Sequence, residues 1–104
     1  MKMESQKQDE WVLVTIRGNI DHENSQVFST ELLNLIRNGG IRVRLDLAEC
    51  DFVSSSGLGA IAAALMVARS RGGEMEVFNA STNVRNLFRT TKLNTIIRMM
   101  SKND

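Results

Sequence analysis

Hydrophobic and polar positions recur with two different periods along the chain, and these periods predict strands alternating with helices. Residues 11–17 alternate with a period of two and are rich in β-branched side chains, which is typical of a strand. Residues 41–48 show the clearest alternation, over four periods. Residues 74–78 are a further predicted strand, with Met75 and Val77 facing the core.

Between these strands, apolar side chains recur at helical spacing. The first predicted helix follows short polar residues at 21–25 that can cap a helix start, and it ends at Gly39–Gly40. The second follows a turn at 49–56 and ends at Gly72–Gly73. Its predicted core face consists of Leu58, Ile61, Ala62, Leu65 and Met66.

A third helix is predicted after Ser81 or Thr82, and it is expected to run on, or restart, through Leu93, Ile96 and Ile97. The polar segment 1–9 can add an edge strand, and residues 101–104 are expected to be a frayed tail. Strands that alternate with helices imply crossover connections between parallel strands. The sequence therefore predicts one α/β domain over residues 1–104, a mostly parallel mixed sheet of about four strands packed with three to four helices.

Composition narrows the function classes. Thirteen Lys and Arg against twelve Asp and Glu leave a net charge of +1, which argues against nucleic-acid or membrane binding through bulk charge. A polar beginning and no apolar run long enough to span a bilayer favour the cytoplasm and argue against membrane insertion. A single cysteine, Cys50, and a single histidine, His22, exclude an internal disulfide and a structural zinc site. We expect no metal and no cofactor.

The junction Phe52–Gly59 holds the most informative polar residues, because three serines stand where the second helix should begin. A helix start offers free amide donors and can hold an anion, although such a serine is more often only a cap. A serine hydrolase is poorly supported, because the G-x-S-x-G pattern is missing and the sequence does not position His22 as a base. Between Asp21 and Glu23, His22 is expected to be a solvated surface residue. The chain is therefore not expected to be an enzyme.

Two further sets of residues have a structural and a functional interpretation. Arg42 and Arg44 alternate on one strand face. The structural interpretation is a solvated surface, and the functional one is a rim that meets an acidic partner. Trp11 is expected to pack against its neighbours, and only an exposed position would make it an interface anchor.

Three motifs, in this order and spacing, resemble those of STAS domains over residues 10–100. Gly18–His22 is similar to the G-x-[LI]-D motif after the first long strand, and Phe52–Gly59 is similar to the [FM]-x-D-S-[ST]-G-L-G signature. The pattern of the family's terminal helices is matched by Val84, Leu87, Phe88, Leu93, Ile96 and Ile97.

By size, the chain resembles stand-alone anti-sigma factor antagonists, which implies a non-enzymatic signalling regulator. The resemblance implies phosphorylation of a serine at this junction by a partner-switching serine kinase and dephosphorylation by a PP2C-type phosphatase. It implies that the unphosphorylated form binds the kinase or an anti-sigma factor and controls a bacterial transcriptional, stress or biofilm and exopolysaccharide programme. An alternative is an accessory subunit of an ABC-type lipid transporter, and a third is an anion or nucleotide sensor.

The chain departs from the signature at one position, because Ser54 replaces the Asp that precedes the phosphoserine. Counting back from Gly57 gives Ser55 the acceptor's place, whereas a helix that starts at Gly57 would make Ser56 its cap. Both Ser56 and Ser55 are therefore candidate phosphoacceptors. The resemblance places Asp21 near the site. The candidate partner-binding residues are Asp21, Ser54, Gly57, Leu58 and Gly59.

Overall fold

One mixed β-sheet organises the chain in a computed structural model that describes residues 1–101. Within these residues the sheet has five strands, which lie side by side in sequence order. They are β1 (Lys2–Gln8), β2 (Trp11–Arg17), β3 (Arg42–Glu49), β4 (Glu74–Phe78) and β5 (Arg98–Met100). The edge strand β1 is antiparallel to β2, and all other neighbours are parallel.

Helices form the connections between the parallel strands. They are α1 (Ser25–Arg37), α2 (Ser55–Ser70) and α3 (Thr82–Thr90), and a short 3₁₀ helix covers Leu93–Thr95. Alternate strand residues such as Val14, Leu45 and Val77 are fully buried, and they form one core with the apolar faces of the helices. The predicted α/β class and mixed sheet are confirmed. No helix within residues 1–101 has the length and apolarity needed to cross a membrane.

The third helix does not run on through Leu93, Ile96 and Ile97, because it ends at Thr90. The alternative, a restart, is found only as the 3₁₀ turn Leu93–Thr95, which does not include Ile96 and Ile97. The backbone of Lys92 adopts a left-handed conformation with φ of 64°, which stops the helix and starts the 3₁₀ turn. The chain then forms β5, where Arg98 pairs with Glu76 of β4. Of the predicted frayed tail 101–104, only Ser101 lies within the described residues.

The core face of α2 also differs from its prediction at one position. Met66 is 60% exposed, whereas Ala64 and Ala68 are fully buried, and Ala62 is half-buried. The buried residues Leu58, Ile61, Leu65 and Ala68 recur three or four positions apart and form one face of the helix. The small alanines on this face let α2 lie close to its neighbours. Met66 follows Leu65 directly, so the turn of the helix places its side chain outside the buried face.

The opposite face of the sheet carries a stacked cluster of polar and aromatic side chains. The Arg44 guanidinium lies 4.5 Å from the ring centre of Trp11 and 5.7 Å from that of Phe78. The Glu76 side chain, only 9% exposed, pairs with Arg44 at 3.4 Å and with Arg98 at 3.3 Å. Arg44 is therefore part of a packed cluster rather than a solvated surface, and Trp11 packs within the same cluster.

Candidate functional site

Two loops meet at the edge of the sheet where β2 and β3 end. Because these strands are parallel neighbours, the loops that follow them, residues 18–24 and 50–54, emerge side by side. The amide of Ile20 donates to the carbonyl of Phe52 at 3.0 Å, and the amide of Ser54 donates to the carbonyl of Ile20 at 2.7 Å. This short parallel bridge between Ile20 and Val53 fixes the start of α2 against the preceding loop.

Ser54 is the cap of α2. This residue is 2% exposed, and its Oγ accepts a hydrogen bond from the amide of Gly57 at 3.1 Å. The helix therefore begins at Ser55, and the alternative in which it begins at Gly57 with Ser56 as the cap is wrong. The hydroxyl that replaces the signature's Asp caps the helix, and its burial sets it apart from the two serines that follow.

Ser55 and Ser56 are both exposed on the first turn of α2, but their hydroxyls have different surroundings. The Ser56 Oγ lies 3.0 Å from the Ser54 Oγ and 3.0 Å from the His22 Nδ1. The Ser55 hydroxyl makes no hydrogen bond to any other residue in the described range 1–101. The three serines are therefore a buried cap, a free hydroxyl and a hydroxyl in contact with an imidazole.

The sequence interpretation missed the contact of His22 with Ser56. His22 is exposed, as expected, and its backbone carbonyl accepts a hydrogen bond from the Ser25 Oγ at 3.3 Å. Its ring lies beside Ser56 although 34 residues separate them in the chain. Among the described residues, no carboxylate lies within ion-pair distance of the ring, and its Nε2 has no partner. The only sequence signal was the position of His22 directly after Asp21 in the first motif.

Asp21 lies in the same loop, with its carboxylate turned towards its own backbone. Its Oδ1 accepts from the amide of Asn24 at 2.8 Å, while the amide of Asp21 donates to the Asn24 Oδ1 at 2.9 Å. This reciprocal pair shapes the turn into α1. Among residues 1–101, no hydrogen bond joins Asp21 to Ser54, Ser55 or Ser56.

Two asparagines that sequence reasoning did not single out hold the second loop. The Asn19 Oδ1 accepts from the amides of Asp51 at 2.9 Å and Phe52 at 3.2 Å. From α3, the Asn83 Nδ2 donates to the carbonyl of Asp51 at 2.7 Å. The loop therefore presents Phe52, which is 43% exposed, from a backbone that is tied on both sides.

The two glycines of the signature have different structural roles. A Cβ on Gly57 would lie 2.7 Å from the Ile20 Cγ2 and 2.9 Å from the Val53 Cγ1, so only glycine fits without displacement. A Cβ on Gly59 would meet no atom within 4 Å. Of the candidate partner-binding residues, Asp21 and Gly59 are exposed, whereas Ser54, Gly57 and Leu58 are buried.

The exposed face of α2 continues from the serines without a charge. Residues 55–68 contain no Asp, Glu, Lys or Arg. The exposed positions along this part of the helix include Gly59, Ala63 and Met66, which follow Ser56 at helical spacing. A surface of this kind suits close contact with a protein better than the binding of a charged small molecule.

Comparison with known proteins identifies the family. The anti-sigma-B factor antagonist of Bacillus subtilis is 28% identical over 93 residues, which cover 89% of this chain and 84% of that protein. The fold matches TM1081 of Thermotoga maritima with a TM-score of 0.89 at 20% identity, over 94% of this chain and 85% of that one. It matches phosphorylated SpoIIAA of Bacillus with a TM-score of 0.76 at 20% identity, over 96% and 90% of the two chains. The family described as "Mlab, STAS domain" matches residues 3–100, and the chain belongs to this STAS family.

Proposed function

We propose that this STAS domain is a non-enzymatic, cytoplasmic regulator that binds a serine kinase or anti-sigma factor and that phosphorylation of Ser56 or Ser55 switches this binding off. The observation that carries the proposal is the pair of exposed serines on the first turn of α2, next to a buried serine cap. The fold match to SpoIIAA in its phosphorylated form and the identity to an anti-sigma-B factor antagonist support it. A PP2C-type phosphatase would restore the binding form.

The proposed recognition surface combines the two tied loops with the uncharged face of α2. Phe52 supplies an exposed aromatic side chain on a fixed backbone, and Asp21 is an exposed acidic residue in the neighbouring loop. Gly59 and Ala63 let a partner approach the helix backbone closely. Such a surface matches the anatomy of a protein interface, with an apolar centre and a polar rim.

Phosphorylation would change this surface locally. A phosphoserine carries nearly two negative charges and three acceptor oxygens. At the start of a helix these charges are tolerated in the free protein, because the amide dipoles point towards them. Against an apolar partner surface the phosphate would lose its hydration without compensation, which costs several kcal/mol. A loss of about 2.8 kcal/mol already weakens binding about a hundredfold.

Partner capture with charge-mimicking variants tests this proposal. The wild-type protein, Ser55→Asp and Ser56→Asp are immobilised, and proteins bound from an extract of the native cells are quantified by mass spectrometry. We expect a kinase or anti-sigma factor on the wild type and its loss, by about a hundredfold in affinity, from at least one Asp variant. Ser5→Asp on the exposed strand β1 is the matched control for added charge, and it should bind as the wild type does.

Two outcomes would contradict the proposal. In the first, both Asp variants at the α2 start retain the same partner with unchanged affinity. In the second, the captured protein is a transporter ATPase and no kinase or anti-sigma factor is present, which would favour a transporter subunit instead.

A further inference from the structure

The contact between Ser56 and His22 can form the end of a chain of hydrogen bonds that begins at the amide of Gly57. The Ser54 Oγ accepts from the amide of Gly57, so its own proton is available for the Ser56 Oγ at 3.0 Å. Once the Ser56 Oγ accepts that proton, its hydroxyl proton is free to point at the His22 Nδ1, also at 3.0 Å. A neutral imidazole with an unprotonated Nδ1 completes this chain.

We propose that His22 is the base that accepts the proton of Ser56 during phosphoryl transfer, so that this protein activates its own phosphoacceptor. The inference rests on the proposed function, in which a serine of this junction is phosphorylated. In the step, the Ser56 Oγ attacks the γ-phosphorus of ATP held by the partner kinase. An O–P bond forms, the bond from phosphorus to the bridging oxygen breaks, and ADP leaves with that electron pair. The Ser56 proton moves to the His22 Nδ1.

The product of this step is also favourable, because an imidazolium then lies beside the new phosphate.

The groups around the His22 ring leave it free to accept a proton. Asp21 and Glu23 flank His22 in its own loop and Asp51 lies in the neighbouring loop, yet none of these carboxylates pairs with the ring among residues 1–101. The Ser25 hydroxyl holds the backbone carbonyl of His22 at 3.3 Å, which helps to fix the position of the ring over Ser56.

Ser55 provides an internal comparison. Its hydroxyl is exposed and has no hydrogen-bond partner among the described residues, so no group within residues 1–101 is placed to take its proton. If both serines can reach a kinase, the structure therefore favours Ser56 over Ser55.

The first test measures phosphate transfer from ATP to purified protein in an extract of the native cells. The parent variant is Ser55→Ala, which leaves Ser56 in place. Adding His22→Asn keeps a side-chain acceptor near the Nδ1 position but removes the base. We expect the initial rate at Ser56 to fall by about a hundredfold, which is the order of a general-base contribution. Glu23→Gln in the same parent is the matched control and should not change the rate.

Different results of this test would contradict the role of His22 and the proposed function. An unchanged rate with His22→Asn, or phosphate on Ser55 of the wild type and none on Ser56, would overturn the role of His22 while leaving the switch intact. No phosphate on the wild type, in extracts from cells grown under varied conditions, would overturn the switch itself and with it this inference.

A second test needs no kinase. His22 is the only histidine of the chain, so its ring proton signals in NMR need no assignment. Phosphoserine is placed at position 56 or at position 55, and the ring is titrated in each protein. With phosphate on Ser56, the imidazole should remain protonated to a higher pH than in the unmodified protein. The same titration curve in both phosphoproteins would contradict a direct pairing of His22 with Ser56.

Discussion

Gly57 packs against residues that support both the core and the candidate site. Its missing side chain lets the first turn of α2 lie against Ile20 and Val53, and Ile20 precedes His22 by two residues. Replacing Gly57 with Ala puts a methyl group 2.7 Å from the Ile20 Cγ2 and 2.9 Å from the Val53 Cγ1. Both neighbours are buried β-branched residues, which have little freedom to move aside.

Gly59 allows the size of this effect to be isolated. Both glycines lie in α2, and alanine in place of glycine stabilises a helix interior by about 0.5–1 kcal/mol. Gly59→Ala should show this gain, because its methyl group would meet no atom within 4 Å. Gly57→Ala adds an overpacking cost of about 1–3 kcal/mol to any such gain. We therefore expect Gly57→Ala to be less stable than Gly59→Ala by about 1–3 kcal/mol.

Urea unfolding followed by circular dichroism measures both free energies, and thermal unfolding should show the same order. For a domain of this size, 1 kcal/mol corresponds to about 4–8 °C in Tm. Equal stability of Gly57→Ala and Gly59→Ala would refute the close packing at Gly57. The packing of Gly57 against Ile20 should also help to hold His22 beside Ser56. This would be contradicted if Gly57→Ala were as stable as the wild type and left the NMR signals of the His22 ring unchanged.

Three further predictions concern other parts of the fold. Ser54→Ala removes the buried cap and should lower the free energy of unfolding by about 1–2 kcal/mol, whereas Ser55→Ala should change it little. Arg44→Lys keeps the charge but loses the planar stacking, so it should cost about 0.5–1 kcal/mol and change the fluorescence of Trp11, the single tryptophan. Burial raises the pKa of the Cys50 thiol, so this thiol ionises at lower pH in the unfolded chain than in the folded protein. Stability should therefore fall as pH rises above about 8.5, with a slope that is smaller in Cys50→Ala.

The local sequence predicted the elements whose stability depends on their own apolar pattern. The alternation at residues 41–48 predicted β3, and the helical spacing before Gly39–Gly40 predicted α1. β5 has no such pattern, because it is three residues long and is set by its pairing with β4. Its preceding apolar residues, Ile96 and Ile97, fit a helix equally well.

The candidate site could be located from the sequence but not resolved into roles. The three serines indicated where α2 begins, and the structure distinguishes them through one backbone hydrogen bond, from the amide of Gly57 to the Ser54 Oγ. The contact of His22 with Ser56 depends on the bridge between Ile20 and Val53, which joins segments more than thirty residues apart. A pattern along the chain carries no information about such a pairing.

The most direct measurement of the central claim is peptide mass spectrometry of the protein isolated from its native cells under several growth conditions. We predict a phosphate on the peptide that contains the α2 start, carried by Ser56, with Ser54 unmodified because it is the buried cap. Phosphate on Ser55 would retain the switch and reject the role of His22. A protein that remains unmodified under every condition would contradict the account of phosphorylation as its switch.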